Sequence, residues 1–329
     1  MLSNLHNIYA KLIVFLGAFF VIAMITIFTS NNPNIEPVIV EKEVIPSQNY
    51  FEDLSLEAKA VFVWDVNKQE SLYASNEEAQ LPLASLTKLM TAVIAVDTLP
   101  ESSVVTIDNN DLTSAGDSGL YANEKWSFKD LLKFTLIVSS NDGANALANV
   151  AGLLKSSFPS QKEDNKKAFV YAMNNKVKDI GLTQTYFINP TGLDTNESIS
   201  GGYGSARDAV KLLEYAIINV PEIIESTRHT ELEFSSLSDI KHTATNTNSS
   251  ISFLPGLIAS KTGYTDLAGG NLVIAFDAGI NRPIIISVLG STQEGRFSDV
   301  EKLVSASLKS LNPVRSRTRD TSATSNGVN

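Results

Sequence analysis

The sequence predicts an α+β domain in which strands from both ends of the chain form one antiparallel sheet, with helices and an inserted helical subdomain between them. Three observations point to it. Short apolar-rich runs flank turn residues at 58–75, helical spacing takes over from Ser85, and three strand-like runs return after residue 250.

Residues 12–28, "LIVFLGAFFVIAMITIF", form an uncharged run of 17 residues, nearly enough to cross a bilayer's hydrocarbon. They predict an N-terminal transmembrane helix, with residues 1–11 before it and the anchor bounded at 12–29. Lys11 precedes the run while Glu36, Glu41 and Glu43 follow it, so the charge asymmetry places the rest of the chain outside the cytoplasm. No A-x-A-like site follows, which favours an anchor, although a cleaved signal would export the same domain. Residues 30–50 hold three prolines and read as a linker. The folded domain is expected over 51–312. The tail at 313–329 has little to bury and reads as disordered, its Arg315, Arg317 and Arg319 solvated.

Within the domain, "AKAVFVWDVNKQESLYAS" predicts a hairpin turning at "DVNKQ", with imperfect alternation. "SLTKLMTAVIAVDTL" has apolar residues at helical spacing, and "SFKDLLKFTLIV" and "DGANALANVAGLL" predict helices on either side of "SSN". Phe169, Met173, Val177 and Ile180 stripe a further helix as core residues. "GLIASKTGY", "GGNLVIAFDAG" and "RPIIISVLG" predict strands, the last two joined through "DAGINR", and "RFSDVEKLVSASLKSL" predicts the closing helix.

Composition excludes several kinds of chemistry. With 36 acidic against 26 basic residues the net charge is −10, and no basic run with interleaved aromatics is present, which argues against nucleic acid as a partner. No cysteine is present, so disulfides, thiolate zinc sites and cysteine nucleophiles are excluded. The three histidines, His6, His229 and His242, lack the i, i+4 pairing of a helical metal site, and two of them are expected at the surface. "DNNDLTSAGD" resembles a calcium loop but has Leu112 and Thr113 where a ligand and a glycine are needed, so it reads as a polar loop. No metal and no cofactor is expected.

The residues that remain carry the chemistry. Ser85 and Lys88 stand three apart at a predicted helix start, so they share a face and the amine can reach the hydroxyl. A helix-capping serine is the ordinary alternative, and a second S-x-x-K occurs at Ser238 and Lys241. For the lysine to act as a base it must lose its proton. At an unperturbed pKa of ~10.4 about one lysine in 2,500 is neutral at pH 7, a deficit of roughly 4.6 kcal/mol. Burial or a nearby cation would lower that barrier. "SSN" at 139–141 can project Ser139 and Asn141 from a short interhelix connection while Ser140 points elsewhere. "KTG" at 261–263 supplies a second amine on a strand edge, with Gly263 permitting close approach of a substrate to the backbone.

S-x-x-K, S-D-N and K-T-G are the signature of penicillin-binding proteins and class A β-lactamases, and the chain carries them in matching order with Ser140 at the middle position of the second. Together with "ASLTKLMTA", "LLKFTLIVSSNDGANALA", "FVYAMNNKVKDIGLTQTYFINPTGLD", "SARD", "NTN" and "SKTGYTDLAGGNLV", they make residues 57–310 resemble the serine-type D-Ala-D-Ala carboxypeptidases of peptidase family S11. The resemblance implies the β-lactamase/D,D-peptidase-like fold. It implies Ser85 as nucleophile, Lys88 as base, and Ser139 with Lys261 bridging toward the departing amine. Asn141 would bind the substrate backbone, Thr262 and Arg296 its terminal carboxylate, and the N–H groups of Ser85 and Tyr264 the oxyanion. The implied partners are a peptidoglycan stem peptide ending in D-Ala-D-Ala, β-lactams as covalent inhibitors, and the cytoplasmic membrane through residues 12–29. Tyr264 stands where some members have histidine. A β-lactamase, a D,D-endopeptidase and a catalytically silent wall-binding protein are the alternatives. The first would need a deacylating glutamate in an "ExxLN" loop, and "NPTGLD" occupies the comparable interval.

Overall fold

The computed structural model describes residues 49–113, 115–116, 119–155 and 162–311. The apolar run at 12–28, all but the last two residues of the linker, the tail from 313 and His6 lie outside them.

In chain order the elements are β1 (Ala60–Asp65), β2 (Glu70–Ser75), β3 (Leu81–Pro82), α1 (Thr87–Thr98), β4 (Val104–Thr106), β5 (Lys125–Ser127), α2 (Phe128–Val138) and α3 (Asn141–Lys155). They continue with α4 (Lys162–Ile180), β6 (Tyr186–Phe187), β7 (Gly202–Gly204), α5 (Ala206–Asn219), α6 (Pro221–Glu225), β8 (Glu231–Ser235) and β9 (Lys241–Thr245). The chain then forms β10 (Leu257–Thr265), β11 (Gly269–Asp277), β12 (Pro283–Ser291) and α7 (Gly295–Leu311).

The main sheet has five strands in the order β10-β11-β12-β1-β2, every pairing antiparallel. N- and C-terminal strands therefore meet, β1 against β12 with Val61 opposite Val288 and Val63 opposite Ile286. The turns follow from local polar chemistry. The Asp65 carboxylate accepts from the N–H groups of Asn67 and Lys68, and Asp277 does the same for Gly279 and Arg282 in the predicted "DAGINR" hairpin.

The sheet is covered on both faces, which explains why β1 alternates so poorly. Phe62 joins a core with α1, α2, α3 and α5, while Val61 and Val63 face a second core against Val300, Leu303 and Val304 of α7. Each such apolar side chain, fully buried, contributes about 1.5–3 kcal/mol. α1 is the central helix, buried without a break from Thr87 to Ala95. Phe169, Met173 and Val177 of α4 lie in the core as expected.

Three features differ from the sequence reading. The hairpin β8–β9 precedes residue 250, its alternating exposure the mark of a ribbon buried on one face. His242 on that ribbon is buried rather than at the surface, because its Nε2 meets the Glu124 carboxylate at 2.6 Å beneath Trp126 and Phe134. Helix α1 begins at Thr87 rather than Ser85, behind a 3-10 turn over Ala84–Leu86.

Candidate active site

The 3-10 turn decides what Ser85 can do. In 3-10 geometry residues three apart eclipse, so the turn aims Ser85 at Lys88 in the first turn of α1, with Oγ 2.8 Å from Nζ. Ser85 is no helix cap: neither the turn nor α1 has a side-chain cap. The turn is entered through Ala84 at φ +48°, in the left-handed region that residues with a Cβ rarely occupy, a strain of order 1–3 kcal/mol. Gly192 leaves room for the turn, because a Cβ on Gly192 would lie 1.9 Å from the Ala84 carbonyl oxygen.

Lys88 has no solvent exposure. Its amine meets three oxygens: Ser85 Oγ at 2.8 Å, Asn141 Oδ1 at 2.7 Å and the Thr191 carbonyl at 2.8 Å. Burial pushes its pKa well below the ordinary lysine value, and the charge of Lys261 pushes it the same way. The partner set suits a neutral amine. Two of the oxygens, from an amide and a carbonyl, only accept, which uses both N–H bonds and leaves the lone pair for the Ser85 hydroxyl.

A second hydroxyl–amine pair adjoins the first. Ser139 ends α2 at φ +62°, and its Oγ accepts from Lys261 Nζ at 3.0 Å. Ser140 turns inward, accepting from the Gly143 N–H at the start of α3, as the sequence reading expects. Asn141 opens α3 with both ends of its amide engaged, Oδ1 on Lys88 and Nδ2 on the Ala115 carbonyl at 2.7 Å. Lys261 lies on the edge strand β10, buried, and also donates to the Thr262 carbonyl at 2.9 Å. Burial lowers its pKa to about 7, with the Arg296 charge adding to the effect.

Gly263 does permit a close approach, but the chain itself makes it. A Cβ there would lie 2.9 Å from the Leu83 carbonyl oxygen and 3.1 Å from the Ser85 nitrogen, so the glycine lets β10 pack directly on the 3-10 turn. Tyr264, next along β10, is 46% exposed and is thus available to a ligand. Arg296, at the start of α7, is buried over the Phe297 ring and donates from Nη1 to the Gly263 carbonyl at 2.8 Å. Its Nε has no hydrogen-bond partner among the described residues.

Ser85, Lys88, Ser139, Asn141, Lys261, Thr262, Gly263 and Arg296 thus converge from three separate stretches of chain and the start of α7. Two participants lay outside the sequence reading. Thr191 reaches Lys88 through its backbone carbonyl, in a loop tied by Asn189, whose Oδ1 accepts from the N–H groups of Thr191 and Gly192. Thr247 shares a hydrogen bond of 2.5 Å with the Thr262 hydroxyl. The strings "NPTGLD" and "NTN" were the available signals. Ser238, by contrast, lies in the β8–β9 turn and accepts from the Lys125 N–H, with no hydrogen bond to the amine of Lys241 among the described residues.

A buried lysine of lowered pKa on a serine hydroxyl, set between an α-helical region and the edge of an antiparallel sheet, is the arrangement expected of the class that holds the penicillin-binding proteins and class A β-lactamases. The profile of peptidase family S11, D-alanyl-D-alanine carboxypeptidase, matches residues 45–293, and the chain belongs to that family. It is 31% identical over 258 residues to the D-alanyl-D-alanine carboxypeptidase DacF of Bacillus subtilis, covering 77% of this chain and 62% of that protein. It therefore spans less than two thirds of that relative's length. A D-alanyl-D-alanine endopeptidase of Escherichia coli is 28% identical over 258 residues, or 74% of this chain and 75% of its own. Penicillin-binding protein D2 of Listeria monocytogenes, solved in its ampicillin-bound form, aligns with TM-score 0.64 and 28% identity over 77% of this chain and 98% of that one.

Proposed function

We propose that this chain is a serine D,D-carboxypeptidase that removes the terminal D-alanine from peptidoglycan stem peptides through a Ser85 acyl-enzyme. The observation that carries the reading is the buried Lys88 amine, held by two obligate acceptors with its third partner the Ser85 hydroxyl. Neutral Lys88 takes the hydroxyl proton as Ser85 Oγ bonds to the carbonyl carbon between the two D-alanines. The developing oxyanion is held by the N–H groups of Ser85 and Tyr264, a reading supported by the close packing of the neighbouring Gly263 on the Ser85 turn. As the C–N bond breaks, the proton passes through Ser139 and Lys261 to the departing amine. Water then splits the ester, returning the proton to Ser85.

Substrate binding follows the same logic. Asn141 meets the peptide backbone, its Nδ2 exchanging the Ala115 carbonyl for a substrate oxygen. Thr262 and Arg296 bind the terminal carboxylate, an assignment supported by the unpartnered Nε of a buried arginine. β-Lactams acylate the same serine. The loop at 189–194 offers Lys88 a backbone carbonyl where a β-lactamase needs a carboxylate, which favours slow deacylation. Crosslink cleavage is the second reading, supported by the similarity to an endopeptidase.

Residues 12–29 are proposed to anchor the chain in the cytoplasmic membrane with the catalytic domain outside, a reading supported by the charge asymmetry around that run. Fluorescent penicillin should label the wild type, and pentapeptide should release free D-alanine faster than crosslinked dimers are cleaved. Absence of label and of D-alanine release would overturn the carboxypeptidase reading. Protease added to intact cells should digest the domain if it is outside; full protection would overturn the topology.

A further inference from the structure

A groove of about 590 Å³ lies between α4 and the loop at 188–193, within the size range of ligand sites. It adjoins the catalytic centre through two residues. Thr191, whose carbonyl holds Lys88, lines it, and so does Asn145, one turn along α3 from Asn141. Its walls are fixed by their own hydrogen bonds. Asn174 of α4 spans to β6, donating to the Phe187 carbonyl and accepting from the Phe187 N–H, and Asn189 pins the opposite loop. With both amides consumed in this way, the groove is preformed.

The groups left to meet a ligand have a definite chemistry. Val170, Ile188, Pro190 and Leu193 give an apolar floor, and Tyr171, 70% exposed, stands at the rim. The ionisable side chains on the lining besides this tyrosine are Lys166 and Lys167. Lys166 has no carboxylate partner among the described residues, and Lys167 faces Asp164 only at 3.9 Å across solvent-exposed side chains. On a chain of net charge −10, two lysines over an apolar floor make a locally cationic strip.

We propose that this groove is a subsite for the acidic, upstream part of the stem peptide, its lysines meeting the peptide's carboxylates and its floor the aliphatic segments between them. The proposal rests on the D,D-peptidase reading above, and extends it from the scissile bond to the part of the substrate that is not cut. Remote contacts of this kind add binding energy without touching the reacting atoms.

The test uses the full chain and a stem tripeptide lacking D-Ala-D-Ala, so that binding is read whether or not the chain cuts. Calorimetry should show salt-dependent binding of the tripeptide, weakened about five- to tenfold in K166E/K167E and equally by amidation of its carboxylates. In parallel the double variant should raise KM for pentapeptide while leaving kcat, the rate on a short N-acetyl-D-Ala-D-Ala substrate and acylation by penicillin unchanged. Lys167 is exposed and Lys166 half-buried, and unchanged penicillin labelling checks that the double variant folds. No tripeptide binding, or binding indifferent to both lysines and carboxylates, overturns the subsite. Lysine-dependent tripeptide binding in a chain that releases no D-alanine supports the subsite and overturns the catalytic reading instead.

Discussion

The chain contains the string S-x-x-K twice, and the two copies meet opposite fates. Ser85 and Lys88 span a 3-10 turn and the first turn of a helix buried on every side, with hydroxyl and amine 2.8 Å apart. Ser238 and Lys241 lie at exposed positions around the turn of the half-buried β8–β9 hairpin, where the serine accepts from the Lys125 N–H. In the first copy burial lowers the pKa of the amine; the second amine lies at the surface. Spacing alone therefore brings no chemistry. What makes a base is the combination of eclipsed geometry, a low-dielectric position and acceptors that use up the N–H bonds.

The comparison can be broken most directly at the hydroxyls. Ser85→Ala should abolish acylation by penicillin, a loss of at least about a thousandfold, while Ser238→Ala should leave the rate at wild type. Equal loss in both, or label retained in Ser85→Ala, would remove the distinction. Next is the amine. Lys88→Met keeps the aliphatic stem but not the base and should slow acylation by about 10²–10⁴, measured by stopped-flow with a chromogenic cephalosporin. Lys241→Met should have no such effect.

Burial of an amine also has a cost in stability, and its sign follows from the lowered pKa. Folded Lys261 titrates near 7 and the unfolded side chain near 10.5, so between those values the unfolded state binds more protons. Stability therefore rises with pH through that window and is lost toward its acid end. Lys261→Met, inactive in turnover, should stabilise the domain by an amount on the order of a few kcal/mol at pH 7, shrinking toward pH 10. Thermal melts at the two pH values check this, and a pH-independent difference would contradict it. The smallest effect is expected at Thr247. Thr247→Val removes the partner of the Thr262 hydroxyl and should raise KM a few-fold with kcat nearly unchanged. A fall in kcat at constant KM would place Thr247 elsewhere in the reaction.

Much of the architecture was legible because it is written in side chains of a recognisable kind. The five-stranded sheet, the central helix and the helix pair around "SSN" all follow from apolar spacing and turn residues. What escaped has a physical reason in each case. Thr191 acts through a backbone carbonyl, which every residue possesses, so residue type carries no signal for it. The early start assigned to α1 reflects a 3-10 turn, whose spacing resembles a helix over so few residues. His242 is inside because Glu124, distant in sequence, supplies a partner there. Gly263 reads in sequence as room for a substrate, whereas in the structure the Ser85 turn is what packs against it, a contact that only the tertiary fold creates.

The central claim is that burial and the neighbouring Lys261 charge both push Lys88 toward its neutral form. The pH dependence of acylation by penicillin, in the wild type and in Lys261→Gln, tests that claim most directly. Loss of the Lys261 charge should let the Lys88 pKa rise, so the acid limb of the profile should move to higher pH as the rate falls. A uniform fall with the acid limb unmoved would show that Lys261 serves binding alone, and would contradict the coupling.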